Sequence, residues 1–259
     1  MIVEGEIKGS LDRGIAILDY LAKGREATTA QLAAAGNMSR SATYRLVERL
    51  RTLGYLESAG AGRWKLGAGA ARLATTAART ADIVQVGPEL LHLLAQQSRE
   101  TVGLAVPRGD EMVFVYRELG PKAVNASVEL GGRRPMHASA VGKAYLAALP
   151  DGDRARLSQD AQLESCTPYT VTDRARLEAE IELTRVRGWA EERSEFNVTS
   201  ACCGAAVLDC NARPVGAISV AGGKRRVELA MSRLGPLVAA TAEAISCRLG
   251  WDPSTVHPG

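Results

Sequence analysis

Between residues 29 and 39 the chain carries a short apolar-periodic stretch, Thr29 to Ala35, a glycine stop at Gly36 and a fresh helix cap at Ser39. Two helices joined by so short a turn, Gly36 to Ser39, cross steeply instead of running as a long hairpin. The preceding segment places Leu11, Ile15, Leu18 and Leu21, with Ile17, at helical spacing, with Ser10 as cap and Gly24 as stop. The segment after the turn reads as a helix from its Ser39 cap to about Leu53, with Leu46, Leu50 and Leu53 inward and Gly54 as terminator. Gly54 to Glu57 and Arg63 to Leu66 then flank a glycine-rich turn, which predicts a small hairpin. Three helices and a hairpin make a winged helix-turn-helix over residues 1–67.

The charge distribution gives that module a partner. Net charge is only +3, but residues 1–66 hold ten Lys/Arg against seven Asp/Glu, and the rest of the chain balances at 22 against 22. A short basic segment beside a neutral remainder predicts a polyanion-binding module attached to something else. On a helical wheel Arg40, Ser41, Tyr44, Arg45, Glu48 and Arg51 face outward from the third helix. Recognition helices read bases with their N-terminal residues, so Arg40, Ser41, Tyr44 and Arg45 are the candidates for the major groove of double-stranded operator DNA. Arg49 and Arg51, further along, and Arg63 on the hairpin suit phosphates. A helical protein-interaction module with a solvated arginine face is the competing reading. RNA binding fits poorly, because only 4% of residues are aromatic and a stacking platform needs them.

At 259 residues, with 46% hydrophobic and 24% charged side chains, the chain suits two ordinary globular domains. Residues 68–84 read as a linker helix, and Pro88 to Ser98 as another helix. Val102 to Val106 and Met112 to Tyr116 are predicted strands around an Arg108-Gly109-Asp110 turn, and Ala123 to Leu130 alternates like a third. Helices follow at about Ala138 to Ala148 and Asp173 to Arg187, then strands at Ala205 to Leu208 and Val215 to Val220, then a long helix from Val227 to Leu249. This order predicts an α+β domain built on an antiparallel sheet over residues 85–251, with residues 252–259 as a tail.

Catalytic and metal chemistry find little support. His92, His137 and His257 stand far apart without acidic or thiol partners at ligand spacing, so no metal and no cofactor is expected. Val141-Gly142-Lys143-Ala144 resembles the end of a phosphate-binding loop, but His137 stands where its glycine belongs and Ala144 where its Ser/Thr belongs. Ser139 lacks the glycine-flanked nucleophile turn. The cysteines at 166, 202, 203, 210 and 247 show no framework spacing and read as reduced thiols. Cys202 or Cys203 would be nucleophilic only beside a base that lowers the thiol pKa, which leaves a thiol enzyme as the rival function. No run approaches the roughly 20 apolar residues of a membrane span, and the acidic start does not match a signal peptide, so a cytoplasmic location with no membrane contact is expected. The Asn125-Ala126-Ser127 and Asn197-Val198-Thr199 triplets are then chance matches to the glycosylation pattern.

Several segments together resemble the IclR-type transcription regulators. They are Gly36 to Val47, Leu53-Gly-Tyr-Leu56, Arg63-Trp-Lys-Leu-Gly67, Gly132-Arg-Arg-Pro-Met-His-Ala-Ser-Ala-Val-Gly-Lys-Ala144, Arg187-Gly-Trp-Ala190, Glu195-Phe196 and the Cys202 region, in family order. The resemblance implies a non-enzymatic repressor or activator whose second domain is GAF-like and binds a small organic acid or aromatic metabolite. It also implies a homodimer, in some members a homotetramer. Carried over residue by residue, the effector positions are Ser139, Ala140, Val141, Glu192, Cys202, Ser219 and Ala221. The start of the Ala138 helix suits a carboxylate because it offers unpaired N–H groups and a positive dipole end, and Ser219 adds a hydroxyl. Thr199, Ala206 and Ala221 depart from the residues usual in the family.

Overall fold

The computed structural model describes residues 9–22, 26–80, 82–121, 128–160 and 162–255. Contacts divide the chain into two units between Thr80 and Ala81. In the first, α1 (Ser10–Ala22), α2 (Thr29–Ala35) and α3 (Arg40–Thr52) form close to where the sequence puts them. The caps explain why. Thr28 and Gln31 make a reciprocal capping box at α2, and the Ser39 hydroxyl accepts from the Ala42 N–H at 3.3 Å at α3. The expected stop at Gly24 falls outside the described residues.

Which side chains face inward differs from the expectation. On α3 the buried residues are Thr43 and Val47, flanked by Leu46 and Leu50, whereas Leu53 is 48% exposed. The helix ends at Thr52, and Gly54, at φ +78°, turns the chain away before Leu53 can face inward. Thr43 enters the core at no polar cost because its hydroxyl donates to the Ser39 carbonyl at 2.9 Å. On α1, Ile17 and Leu21 are buried while Leu11 and Ile15 stand out.

The hairpin is β2 (Leu56–Gly60) with β3 (Arg63–Leu66), bulged between Ser58 and Gly60, and α4 (Ala68–Thr80) follows. A two-residue strand, β1 (Ala27–Thr28), adds to β3 with Ala27 opposite Trp64. It is too short to show any alternation in sequence.

The second unit opens with α5 (Ile83–Val86), which was not expected, and α6 (Pro88–Ser98). Its strands are β4 (Thr101–Arg108), β5 (Glu111–Glu118) and β6 (Arg133–Pro135). After them come α7 (Ala140–Ala148), α8 (Asp151–Asp160) and α9 (Arg174–Arg187), then β7 (Ala190–Arg193), β8 (Ser200–Leu208) and β9 (Pro214–Gly223). The chain closes with α10 (Lys224–Arg248) and a 3₁₀ turn at Pro253–Thr255. All six strands pair antiparallel in the order β6-β5-β4-β9-β8-β7. The expected third strand, Ala123 to Leu130, falls mostly outside the described residues. Residues 122–127 lie outside the described residues, Val128 to Leu130 are not extended into a strand, and β6 is what pairs with β5. At three residues, ending in proline, β6 can only be an edge strand and has too few residues to alternate visibly. The other edge, β7, was also missed.

Both faces of the sheet are covered. Val102, Leu104, Ala201, Cys203, Ala205, Val207, Ile218 and Val220 pack with α6 and α10, while Ala105, Ala217 and Ala221 pack with α7 and α9. Burial on two sides is why β8 and β9 read as near-continuous apolar runs without alternation. The α7 side is lined by small residues, which lets the helix approach closely. A Cβ on Gly204 would lie 3.0 Å from the Ala140 carbonyl, and one on Gly142 would lie 2.3 Å from the Met136 backbone. Among the described residues no helix is long and apolar enough to cross a membrane.

Candidate functional site

In the first unit α3 presents its polar side outward. Arg40, Ser41, Tyr44, Arg45, Arg49 and Arg51 are all exposed, as is Arg63 on β3. Arg40, Ser41 and Tyr44 line one shallow depression of about 500 Å³ together with Thr28, Thr29, Ala30 and Gly62. The start of α2, the start of α3 and the hairpin turn therefore converge at one place. Arg51 is held by Glu48, Nε donating at 3.0 Å, and Arg63 donates to the Glu26 carbonyl at 3.4 Å. The exposed Arg51–Glu48 pair contributes little and is easily exchanged for another anion.

The second unit gathers Ser139, Ala140, Val141, Glu192, Cys202, Ser219 and Ala221 around a single cavity. The sheet register explains the convergence. Glu192 on β7 stands opposite Cys202 on β8, Cys202 opposite Ala221 on β9, and Ser219 opposite Gly204. Residues 202 and 204 share a face, as do 219 and 221, because side chains alternate along a strand. That face is the one beneath the start of α7. The helix begins at Ala140, two residues later than expected, with Ser139 as its cap. The Ser139 hydroxyl is committed: it accepts from the Gly142 N–H at 3.2 Å and donates to the Pro135 carbonyl at 2.8 Å. The N–H groups of Ala140 and Val141, which no helix can satisfy internally, are the donors left at the cavity.

Glu192 is 2% exposed, and its Oε1 accepts from the N–H groups of Glu195 at 2.5 Å and Phe196 at 3.2 Å. Burial raises its pKa above the ordinary carboxylate range against the pull of these donors and of the Cys202 thiol. Burial, with the nearby Glu192 carboxyl, also pushes the Cys202 thiol well above its usual value, the reverse of what a thiolate nucleophile requires.

Further residues line the cavity that the sequence reading did not single out: Phe114, Val128, Arg134, Phe196 and Ser200. Phe114 and Phe196 are the chain's only two phenylalanines, a signal that could have been noticed. The Arg134 guanidinium carbon lies 4.2 Å from the Phe196 ring centre and 5.5 Å from that of Phe114. Arg134 was visible only as part of a motif, because the strand that aims it is three residues long.

Lys143 has no phosphate-binding role in its surroundings. It is 1% exposed, and its ammonium donates to Glu180 of α9 at 2.5 Å and to both oxygens of Glu195 at 2.6 and 2.7 Å. Glu195 in turn donates its N–H to Glu192, so the lysine anchors the loop that orients a cavity wall. His137 is a satisfied buried histidine, its Nε2 3.0 Å from the Glu164 carbonyl oxygen. The described residues contain no cluster suited to a metal ion.

Comparison with known proteins identifies the family. Residues 10–60 match the IclR helix-turn-helix domain, and residues 75–247 match the bacterial transcriptional regulator IclR C-terminal domain. The chain is 30% identical to the HTH-type transcriptional repressor AllR of Salmonella paratyphi A over 247 residues, covering 94% of this chain and 91% of that protein. The structure of an IclR transcriptional regulator from Silicibacter sp. superposes with a TM-score of 0.84 at 23% identity, over 97% of this chain and 100% of that one. Agrobacterium tumefaciens repressor BlcR gives 0.73 at 27% identity, over 94% and 98%. The chain belongs to the IclR family of transcriptional regulators, with a DNA-binding helix-turn-helix domain and an effector-binding C-terminal domain.

Proposed function

We propose that Arg40, Ser41, Tyr44 and Arg45 read base edges in the major groove of an operator while Arg49, Arg51 and Arg63 hold phosphates, and that an organic acid bound beneath α7 changes the affinity for that operator. The observation that carries this reading is the convergence of Ser139, Ala140, Val141, Glu192, Cys202, Ser219 and Ala221, from the start of α7 and the three strands β7, β8 and β9, on one cavity in one unit. Residues 1–67 are the DNA-binding domain, 68–84 a linker built on α4, 85–251 the effector domain and 252–259 a tail. The protein works in the cytoplasm as a homodimer, or as a dimer of dimers, and not as an enzyme. The neutral Cys202 thiol speaks against the thiol-enzyme alternative.

A regulator of this kind must bind its effector with different affinity in its DNA-competent and DNA-incompetent states, and operator DNA must then shift effector affinity by the same factor. Calorimetric titration of organic acids with and without the upstream DNA of the chain's own gene tests this. Unequal affinities in the two titrations are expected. Equal affinities would remove the sensing role, and turnover of the acid would restore the enzyme reading.

A further inference from the structure

We propose that Arg134 is the specificity-determining residue of the cavity under α7: it sets the effector's charge as a carboxylate and, with Phe114 and Phe196, limits its size to a short aliphatic acid. The inference rests on the reading of this cavity as the effector site.

Charge comes first. Among the residues that line the cavity, Arg134 is the one cationic side chain and Glu192 the one carboxylate. An anion entering beneath α7 leaves bulk water and meets the Ala140 and Val141 N–H groups and the Ser219 hydroxyl. These donors and the helix dipole compensate a desolvated charge only in part, and an opposite charge compensates it further. Arg134 supplies the opposite charge, and stacking on Phe196 with the Nη1 bond to the Arg133 carbonyl at 2.7 Å fixes the plane of its guanidinium. A guanidinium stacked by its face presents its edge, the geometry in which arginine pairs with carboxylates. An entering carboxylate joins or displaces the partners Arg134 already has.

Size follows from the same cluster. The cavity holds about 20 Å³ open to the centre of a water molecule, which is room for one or two waters. Phe114, Arg134 and Phe196 stack together in its lining, and a space this small takes a benzene ring only if lining groups such as this stack move apart. An acid of about two to four carbons needs only small side-chain shifts.

The test is calorimetric titration of the full chain with lactate, pyruvate and butyrate as short acids, benzoate and phenylacetate as ring acids, and lactamide and benzamide as neutral counterparts. At least one short acid is expected to bind better than every ring acid and every amide. Arg134→Gln should lose that acid by about 10- to 100-fold. Arg134→Lys, which keeps the charge without the fork, should fall between the two. Phe196→Leu should gain benzoate, and thermal melts of each variant establish that it folds. Ser219→Ala separates the two levels of the argument. If Ser219→Ala weakens the short acid and Arg134→Gln leaves it within about twofold, the cavity is the effector site and the role given to Arg134 is wrong. If neither substitution matters, the cavity is not the effector site. Ring acids binding as well as short ones, or no short acid binding at all, overturns the size and charge assignment.

Discussion

On α3 the arginines stand in solvent around a broad shallow depression, whereas in the C-terminal unit Lys143, Glu192 and Glu195 are nearly sealed from water and bonded to one another or to backbone. The difference follows from what each region has to recognise. A polyanion is read by exposed cations that exchange counterions at little cost, and affinity there is long-ranged and salt-dependent. A small molecule is read by fixed, desolvated groups, each of which needs a partner whether the ligand is present or not. Charge in the first unit is a surface property, and in the second it is part of the architecture.

The largest expected effect tests that architectural role. Lys143→Met leaves Glu195 buried without its cation and should destabilise the C-terminal unit by about 3–5 kcal/mol. In scanning calorimetry the transition of that unit should move down while the helix-turn-helix unit melts as before. A shift in both, or in neither, would break the contrast between the two regions.

Arg45→Ala comes next, and it should weaken operator binding by roughly 1–3 kcal/mol more than non-specific binding, because an arginine at a base edge discriminates between sequences. Arg49→Ala should weaken both equally and lower the salt dependence by about one counterion. Fluorescence anisotropy across a salt series measures the two slopes. Identical behaviour of the variants would erase the division into base readers and phosphate contacts.

Ser219→Ala removes one hydroxyl from the cavity and should cost about 0.5–1.5 kcal/mol of effector affinity, with operator affinity in the absence of effector unchanged. The converse arm is Arg45→Ala, which should leave effector binding intact. A variant that damages both sites alike would show that the two regions do not divide the labour as described.

The smallest effect is a pH dependence centred on Glu192, which faces Cys202 on β8, Glu195 in its own loop and Arg134 from β6. Its folded-state pKa lies above the ordinary carboxylate value. Its contribution to stability is therefore full below that ordinary value, about 4, and is lost as pH rises through the raised one. Glu192→Gln removes this loss, so the stability of the variant relative to the parent should increase with pH across that window in urea melts. A flat difference would mean that burial does not govern this carboxyl.

Local chemistry made much of the molecule legible in sequence. Ser39 caps its helix with a side-chain oxygen, Gly36 and Gly54 stop theirs, and a stretch such as Pro88 to Ser98 repeats its apolar residues often enough to be recognised; these signals act within a few residues and need no partner. The resemblance in the Gly132 to Ala144 segment and around Cys202 named seven effector positions without saying why they belong together. Tertiary structure supplied the reason. Register between β7, β8 and β9 aligns Glu192, Cys202 and Ala221 in one row, and the small residues beneath α7 bring its N-terminus over that row. Strands of two to four residues, β1, β6 and β7, exist only because a neighbouring strand bonds them, so no periodicity announces them. Arg134, Phe114 and Phe196 meet only after β6 has paired with β5, and Lys143 became a buried anchor only once Glu180 and Glu195 were folded around it. Caps and stops are properties of a segment, while a cavity wall assembled from distant segments is a property of the packed chain.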